Sequence, residues 1–231
     1  MFRIISILFC LVTFSICAQQ KSKTPYTLGL SFHYGFLWNH SVDRTNIKGA
    51  VLTDMQAIEA SIQWQTLGNK DWHHHYKYPT WGMSLMVYNF PDRKLEYVNI
   101  SAEDGSPRQL TNLNVSWGQG VALLIHKNIR MINTPFFQAN IRLGTGIGTF
   151  TKPYNSETNP GNLWISSPIN ASMHLNLETK YRISDQYQVV LSGTFTHYSN
   201  GALSMPNLGI NLPSINVGVR YTKRWRWTTS S

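Results

Sequence analysis

The chain has 231 residues, a formal net charge of +9, and only 13% charged residues. That is about half the charge of a soluble domain, which excludes a disordered chain and argues against an ordinary cytosolic enzyme. With 42% hydrophobic residues the chain is too polar for a helical membrane protein, yet it holds 8 Trp, 11 Tyr and 10 Phe. Little charge, many aromatics and moderate hydropathy fit strands with one apolar and one polar face.

The first segment is an export signal. Arg3 supplies a short positive start, Ile4 to Ile16 form an apolar stretch too short to span a bilayer, and Ala18 is a small residue before Gln19. The expectation is a secretory signal peptide over residues 1–18 and one mature domain over residues 19–231. A lipid anchor on Cys17 is disfavoured by the bulky Ile16 before it. Both cysteines, Cys10 and Cys17, fall in the signal, so the mature chain has no disulfide to stabilise it. Loss of Arg3 lowers the formal charge from +9 to +8. For an exported basic protein the expected partner is the anionic headgroup layer of outer-membrane lipid, and no nucleic acid is expected. After Gln19 the longest short apolar run is Val121 to Ile125, which excludes a transmembrane helix.

Period-2 alternation then predicts eight strands. Tyr26, Leu28, Leu30, Phe32 and Tyr34 alternate with Thr27, Gly29, Ser31 and His33. Ile58, Ala60, Ile62 and Trp64 mark a second strand, and Trp81, Met83, Leu85 and Val87 a third. Val115, Trp117, Val121, Leu123 and Ile125 mark a fourth, interrupted at Gln119. The fifth carries Phe137, Ala139, Ile141, Leu143, Thr145 and Ile147; the sixth Ile169, Ala171, Met173, Leu175 and Leu177. Val189, Leu191 and Phe195 mark the seventh, and Ile215, Val217, Val219 and Tyr221 the eighth. Soluble strands average about five or six residues, whereas a tilted membrane-spanning strand needs about 9–11. Several of these segments reach that length, so the predicted fold is all-β: an eight-stranded antiparallel transmembrane (outer-membrane) β-barrel. Its lumen would be filled by the polar positions, leaving no pore.

With both termini periplasmic, the outer loops are expected at about 38–54, 90–112, 150–164 and 201–213. The turn at 182–186 is short, as an inner turn should be, while 67–79 is long for one. Trp38, Trp64, Trp81, Trp164 and Trp225 fall near strand ends, where an interfacial girdle would place them. The stretch Lys223-Arg224-Trp225-Arg226-Trp227 suits the headgroup level, though a frayed solubilising terminus fits it equally.

Two motifs are read as structural. His73-His74-His75 is taken as solvated extended loop, where adjacent rings point apart and cannot share a metal ion. Gly144-Thr145-Gly146-Ile147-Gly148 lies in a strand with no following helix, so it lacks the setting of a phosphate-binding loop and reads as close packing within the barrel.

The chemistry gathers at the end of the seventh strand, Phe195-Thr196-His197-Tyr198-Ser199-Asn200-Gly201-Ala202. Residues i and i+2 share a strand face about 6.6 Å apart, so the His197 imidazole can approach the Ser199 hydroxyl and activate it as a nucleophile. A His-x-Ser triplet alone arises readily by chance. Here, however, His197 and Ser199 share the parity of Val189, Leu191 and Phe195, the face directed at lipid, where a histidine is costly unless it has a purpose. The strand ends at the outer leaflet, so a nucleophile there would meet lipid esters.

His197-Tyr198-Ser199-Asn200, followed by Pro206-Asn207-x-Gly209-Ile210, resembles the signature of the PagL-type lipid A 3-O-deacylases. These are eight-stranded outer-membrane barrels that remove an ester-linked acyl chain from lipopolysaccharide. The likeness covers about fifteen residues and is architectural elsewhere. It implies Ser199 as nucleophile and His197 as general base, with Asn200 and the backbone near Gly201 and Ala202 stabilising the oxyanion and Asn207 shaping the site. It implies lipid A of lipopolysaccharide as substrate and no cofactor or metal, although calcium can bridge lipid A phosphates. The family places Glu where this chain has Asn211, the residue that orients the histidine. Asparagine can hold a tautomer but cannot stabilise an imidazolium by charge. A slower enzyme, a carboxylate from elsewhere (Asp54, Glu103, Asp104 or Glu157) and loss of activity are the outcomes this leaves open. The rival readings are a non-catalytic outer-membrane barrel, as adhesin or structural anchor, and a soluble periplasmic lipid-binding barrel with its apolar face turned inward.

Overall fold

The computed structural model describes residues 26–38, 47–48, 53–76, 78–101 and 107–223, with backbone alone for 47–48, 93–101 and 107–114. The expected signal peptide (1–18), the acidic candidates Glu103 and Asp104, and the stretch 224–227 lie outside the described residues.

Alternating sequence becomes strand along most of the chain: β1 (Tyr26–Leu37), β2 (Ile47–Lys48), β3 (Thr53–Gln65), β4 (Thr80–Asn89), β5 (Arg93–Ser101), β6 (Pro107–Val115), β7 (Gln119–Asn133), β8 (Phe137–Phe150), β9 (Ile169–Arg182), β10 (Tyr187–Ser199) and β11 (Ile210–Lys223). Eight of these close into an antiparallel barrel in the order β1–β11–β10–β9–β8–β7–β4–β3, with β3 pairing back onto β1. They are the eight predicted strands, and they run from 10 to 15 residues, enough to cross a bilayer at a tilt. The other three, β2, β5 and β6, form a separate antiparallel sheet built from the expected outer loops 38–54 and 90–112, with β6 running on to Val115.

The pleat sorts side chains by chemistry. Leu28, Leu30, Phe32 and Tyr34 of β1 and Leu175 and Leu177 of β9 are exposed on the outside of the barrel, while Ser31, His33, Asn176 and Glu178 between them are buried inside. This arrangement overturns the soluble lipid-binding alternative, which needs the apolar face inward. Unpaired backbone is not tolerated in hydrocarbon, and closure of the barrel removes every edge.

The lumen is a solid lattice of ion pairs. Glu59 on β3 accepts from Arg142 of β8 at 2.6 Å and from Ser84 of β4 at 2.7 Å, and lies 3.2 Å from His33 of β1. Glu178 on β9 takes Arg142 at 2.9 Å, Arg220 of β11 at 3.0 Å and Lys180 at 3.0 Å. Arg142 and Arg220 are essentially sealed from solvent, so each charge must be paired where it stands. Toward the long-loop end the polar lattice gives way to an apolar plug. Tyr88, Phe90, Phe150 and Tyr198 contact one another through their rings, and Trp117 and Trp164 meet edge-on above them with centroids 5.4 Å apart. Among the described residues, plug and lattice fill the barrel axis.

Three local readings are corrected. The predicted fourth strand joined Val115 and Trp117 to Val121, but Gly118 at φ +67° breaks it. Val115 ends β6, Trp117 enters the plug, and β7 starts at Gln119. Trp164, expected in the interfacial girdle, is also plug: the loop after β8 folds it over the barrel mouth, 1% exposed. The long inner segment is explained by one turn of helix, α1 (Asp71–His75), where an extended chain was expected. His73 accepts from the Gly68 N–H at 3.2 Å, and His74 bonds the Gly68 carbonyl and the Tyr78 hydroxyl, so the rings tie the turn together. Trp72 and Tyr76 of this turn cover Lys127 of β7, whose ammonium lies 5.0 and 5.1 Å from their ring centres, with Trp81 at 5.5 Å.

Candidate active site

β10 carries the site on its outer face. Along it Val190, Ser192, Thr194, Thr196 and Tyr198 are buried inward, which leaves Phe195, His197 and Ser199 outward and partly exposed at the long-loop end. In barrels of this kind the long-loop end is the outer one. Tyr198, between the two site residues, anchors the strand end. Its hydroxyl shares a 2.8 Å hydrogen bond with Tyr88, and its ring packs edge-on against Phe150. Gly148 makes room for that ring, because a Cβ there would stand 2.6 Å from the Tyr198 Cε1.

β11 supplies the partner of the imidazole. Asn211 is directly opposite His197 in the ladder, and its Oδ1 lies 2.8 Å from His197 Nδ1. An amide oxygen can only accept, so Nδ1 is the donor, and in the neutral ring Nε2 is then the nitrogen with the lone pair. Asn211 is 7% exposed, so little water competes for that bond. The Trp38 backbone N–H donates to the Asn211 carbonyl at 2.8 Å, and the Trp38 ring meets Phe195 edge-on at 6.4 Å. Gly209, at φ +74°, passes directly beside the imidazole; a Cβ there would come within 2.7 Å of Cε1. Glycine is therefore needed at this position both for backbone conformation and for space.

The loop between the two strands wraps the hydroxyl. Ser199 Oγ accepts from Asn207 Nδ2 at 3.0 Å and from the Gly201 N–H at 3.2 Å. Asn200 turns away from the hydroxyl: its Nδ2 donates to the Ser204 carbonyl at 2.9 Å and to Ser166 Oγ at 3.3 Å, and its Oδ1 accepts from the Ala202 N–H at 2.9 Å. Gly201 and Ala202 both have left-handed backbone, at φ +65° and +64°, which costs Ala202 about 1 kcal/mol. Exposed Leu203 and Met205 ride on this loop, and Met173 lies beside His197 on β9.

The sequence-predicted residues therefore converge. His197, Ser199, Asn207, Gly201 and Asn211 form one cluster on the lipid-facing side; Asn200 and Ala202 shape its loop. His197 and Ser199 are not hydrogen-bonded to each other in this structure. Of the acids considered as substitutes, Asp54 stands on β3, two strands away from β11 around the barrel, and Glu157 lies in the loop after β8. Among the described residues no carboxylate is bonded to His197. Sequence reading missed the segment 163–166, which reaches the site from the loop after β8: the Leu163 and Trp164 carbonyls accept from the Leu208 and Gly209 N–H groups at 3.1 and 3.0 Å. No periodicity or motif tied that stretch to the site, and its Trp164 was expected in the interfacial girdle.

A family model described as lipid A 3-O-deacylase (PagL) matches residues 56–220. The chain belongs to the PagL family. Among solved structures, it is similar to the outer membrane enzyme PagL, with a TM-score of 0.51 at 14% identity over 82% of this chain and 97% of that one. It is also similar to Neisserial surface protein A (NspA), with a TM-score of 0.53 at 4% identity over 85% of this chain and 96% of that one. Identities this low speak for the fold alone, an outer-membrane β-barrel. No curated protein sequence matches.

Proposed function

We propose that this PagL-family barrel is an outer-membrane serine esterase that removes an ester-linked 3-hydroxyacyl chain from lipid A. The observation that carries the reading is the Asn211–His197 bond on the lipid-facing surface beside Ser199: it leaves Nε2 as the free base two residues from a hydroxyl. Catalytic hydrogen bonds in unliganded sites are often long and tighten on substrate binding, so a rotation of the Ser199 side chain toward Nε2 is the expected first movement.

In the reaction Nε2 takes the Ser199 proton as Oγ attacks the ester carbon. The negative charge that develops on the former carbonyl oxygen is met by the Asn207 side-chain N–H and the Gly201 N–H, both already within reach of Oγ. Asn200 contributes by fixing the loop that presents them. Collapse of the intermediate returns the proton from the imidazolium to the departing glucosamine hydroxyl and leaves the acyl chain on Ser199. A water activated by the same Nε2 then releases the fatty acid. These steps call on no metal and no organic cofactor.

The test is mass spectrometry of lipid A from cells expressing the protein. Loss of one hydroxyacyl chain with the natural sequence and its retention with Ser199→Ala is the expected result. Unchanged lipid A in the presence of abundant, folded natural protein overturns the esterase reading in favour of a non-catalytic barrel.

A further inference from the structure

The nucleophile and the base stand on β10, but what holds their partners in place comes from another loop. Asn207 and Gly209 belong to the connection from β10 to β11, which has little barrel structure of its own between Asn200 and Ile210. Its register is set by the segment 163–166 of the β8–β9 loop. The Leu208 and Gly209 N–H groups donate to the Leu163 and Trp164 carbonyls at 3.1 and 3.0 Å, and Ser166 Oγ accepts from Asn200 at 3.3 Å. Trp164 and Ile165 are sealed into the plug, so the segment is held from below by packing.

From the side it is held by the Tyr154 N–H, which donates to the Ile165 carbonyl at 2.7 Å, and by the side chain of Asn162. Asn162 has no exposed surface. Its Oδ1 accepts from the N–H groups of Trp164 and Ile165, both at 3.3 Å. Its Nδ2 donates to the Lys152 carbonyl at 2.9 Å and the Ser116 carbonyl at 3.3 Å. One amide thus ties three stretches of chain, those before β7, after β8 and before β9, at the point where the last of them turns toward the site. Neighbouring Asn159 reinforces the same carbonyls, reaching Ser116 at 2.8 Å and Lys152 at 3.0 Å.

We infer that Asn162 is a positioning residue for the deacylase site: through Trp164 and Ile165 it fixes segment 163–166, which in turn sets Gly209 against the His197 ring and Asn207 on the Ser199 hydroxyl. This rests on the esterase reading above. Loss of the amide leaves the buried N–H groups of Trp164 and Ile165 without their acceptor, while Asn159 still reaches the Ser116 and Lys152 carbonyls, and the segment can slide while the barrel strands, which it does not pair with, stay in place. Displacements of about 1 Å at a reacting group cost on the order of a hundredfold in rate, with little effect on binding of a substrate held mainly by its acyl chains and headgroup.

The experiment uses the full-length protein refolded in detergent, with Asn162→Ala and the milder Ser166→Ala. Both are expected to show the folded barrel band on unheated gels. On purified lipid A in mixed micelles, Asn162→Ala should lose ~10-fold or more in kcat with KM within about twofold, and Ser166→Ala should lose a smaller factor in the same sense. Amide exchange followed by mass spectrometry should speed up over residues 203–210 in Asn162→Ala and stay unchanged in β1 and β3. A folded Asn162→Ala with the natural kcat, or a loss confined to KM, overturns the assignment. So does unchanged exchange over 203–210, a result that does not depend on activity. If Asn162→Ala does not fold, an unchanged kcat and unchanged 203–210 exchange in Ser166→Ala overturns it. Absence of deacylation in the natural protein instead defeats the esterase reading, while the exchange measurement still decides the role of Asn162.

Discussion

Asn211→Asp replaces the orienting amide by a carboxylate of nearly the same shape. The oxygen 2.8 Å from His197 Nδ1 stays in place, and the N–H···O bond becomes charge-assisted once the imidazole takes the serine proton. Charge-assisted hydrogen bonds exceed neutral ones by roughly 1–1.5 kcal/mol, and that difference appears in the transition state because only there is the ring positive. The expected gain in kcat is therefore about tenfold. A bare Coulomb estimate at ~4 Å and an effective dielectric of 20 gives about 4 kcal/mol, which sets the ceiling. The low exposure of Asn211 keeps water from erasing the effect. The same charge holds a proton on the ring more tightly, so the acid limb of the pH–rate profile should move to higher pH while the plateau rises. Deacylation of lipid A in mixed micelles, measured from pH 5 to 9, reads both. A folded Asn211→Asp protein with an unchanged or lower plateau would refute the assignment of Asn211 as the group that orients the base.

Gly209→Ala should fold but lose on the order of a hundredfold in kcat, since its methyl would displace the imidazole and the backbone sits at φ +74°; retained activity in the same assay would show that the ring position is not critical. Glu178→Gln removes the carboxylate shared by Arg142, Arg220 and Lys180, and should destabilise the barrel by about 3–5 kcal/mol in urea unfolding from lipid vesicles. A change below about 1 kcal/mol would mean that the lattice relaxes around the missing charge.

The barrel could be read from sequence because a membrane imposes one rule on each strand, apolar out and polar in, and nothing in the core of the bilayer relaxes it. Phe32, Leu177 and Val217 obey that rule, and all three are exposed on the outside. The rule stops at the mouth. Val115 and Trp117 alternate like a strand, yet a glycine at positive φ diverts them into the plug. Trp164 looks like an interfacial anchor and is the roof of that plug. The histidine run forms a helical turn because its rings bond to Gly68 and Tyr78, contacts that local periodicity does not encode. At the proposed site, the shared facing of His197 and Ser199 was legible from the alternation of one strand, whereas Asn207 and Asn211 were marked only by the resemblance to a spaced family motif. The bracing by residues 162–166 was not, since an Asn in an irregular loop has the same appearance whether it faces water or holds three segments together. The hydrogen bonds of the Asn200 amide to Ser166 and Ser204 were likewise not visible in the sequence.

The plugged interior has a consequence for traffic. With ion pairs through the middle of the described barrel and aromatic rings across its top, the axis is filled, so on the proposed reading a reactant arrives edgewise, sliding within its own leaflet until it meets the wall at β10. Encounter is then a matter of crowding in two dimensions: turnover should follow the mole fraction of substrate in the surface, and diluting that surface with inert detergent should slow the protein even when the amount of substrate in the tube is unchanged.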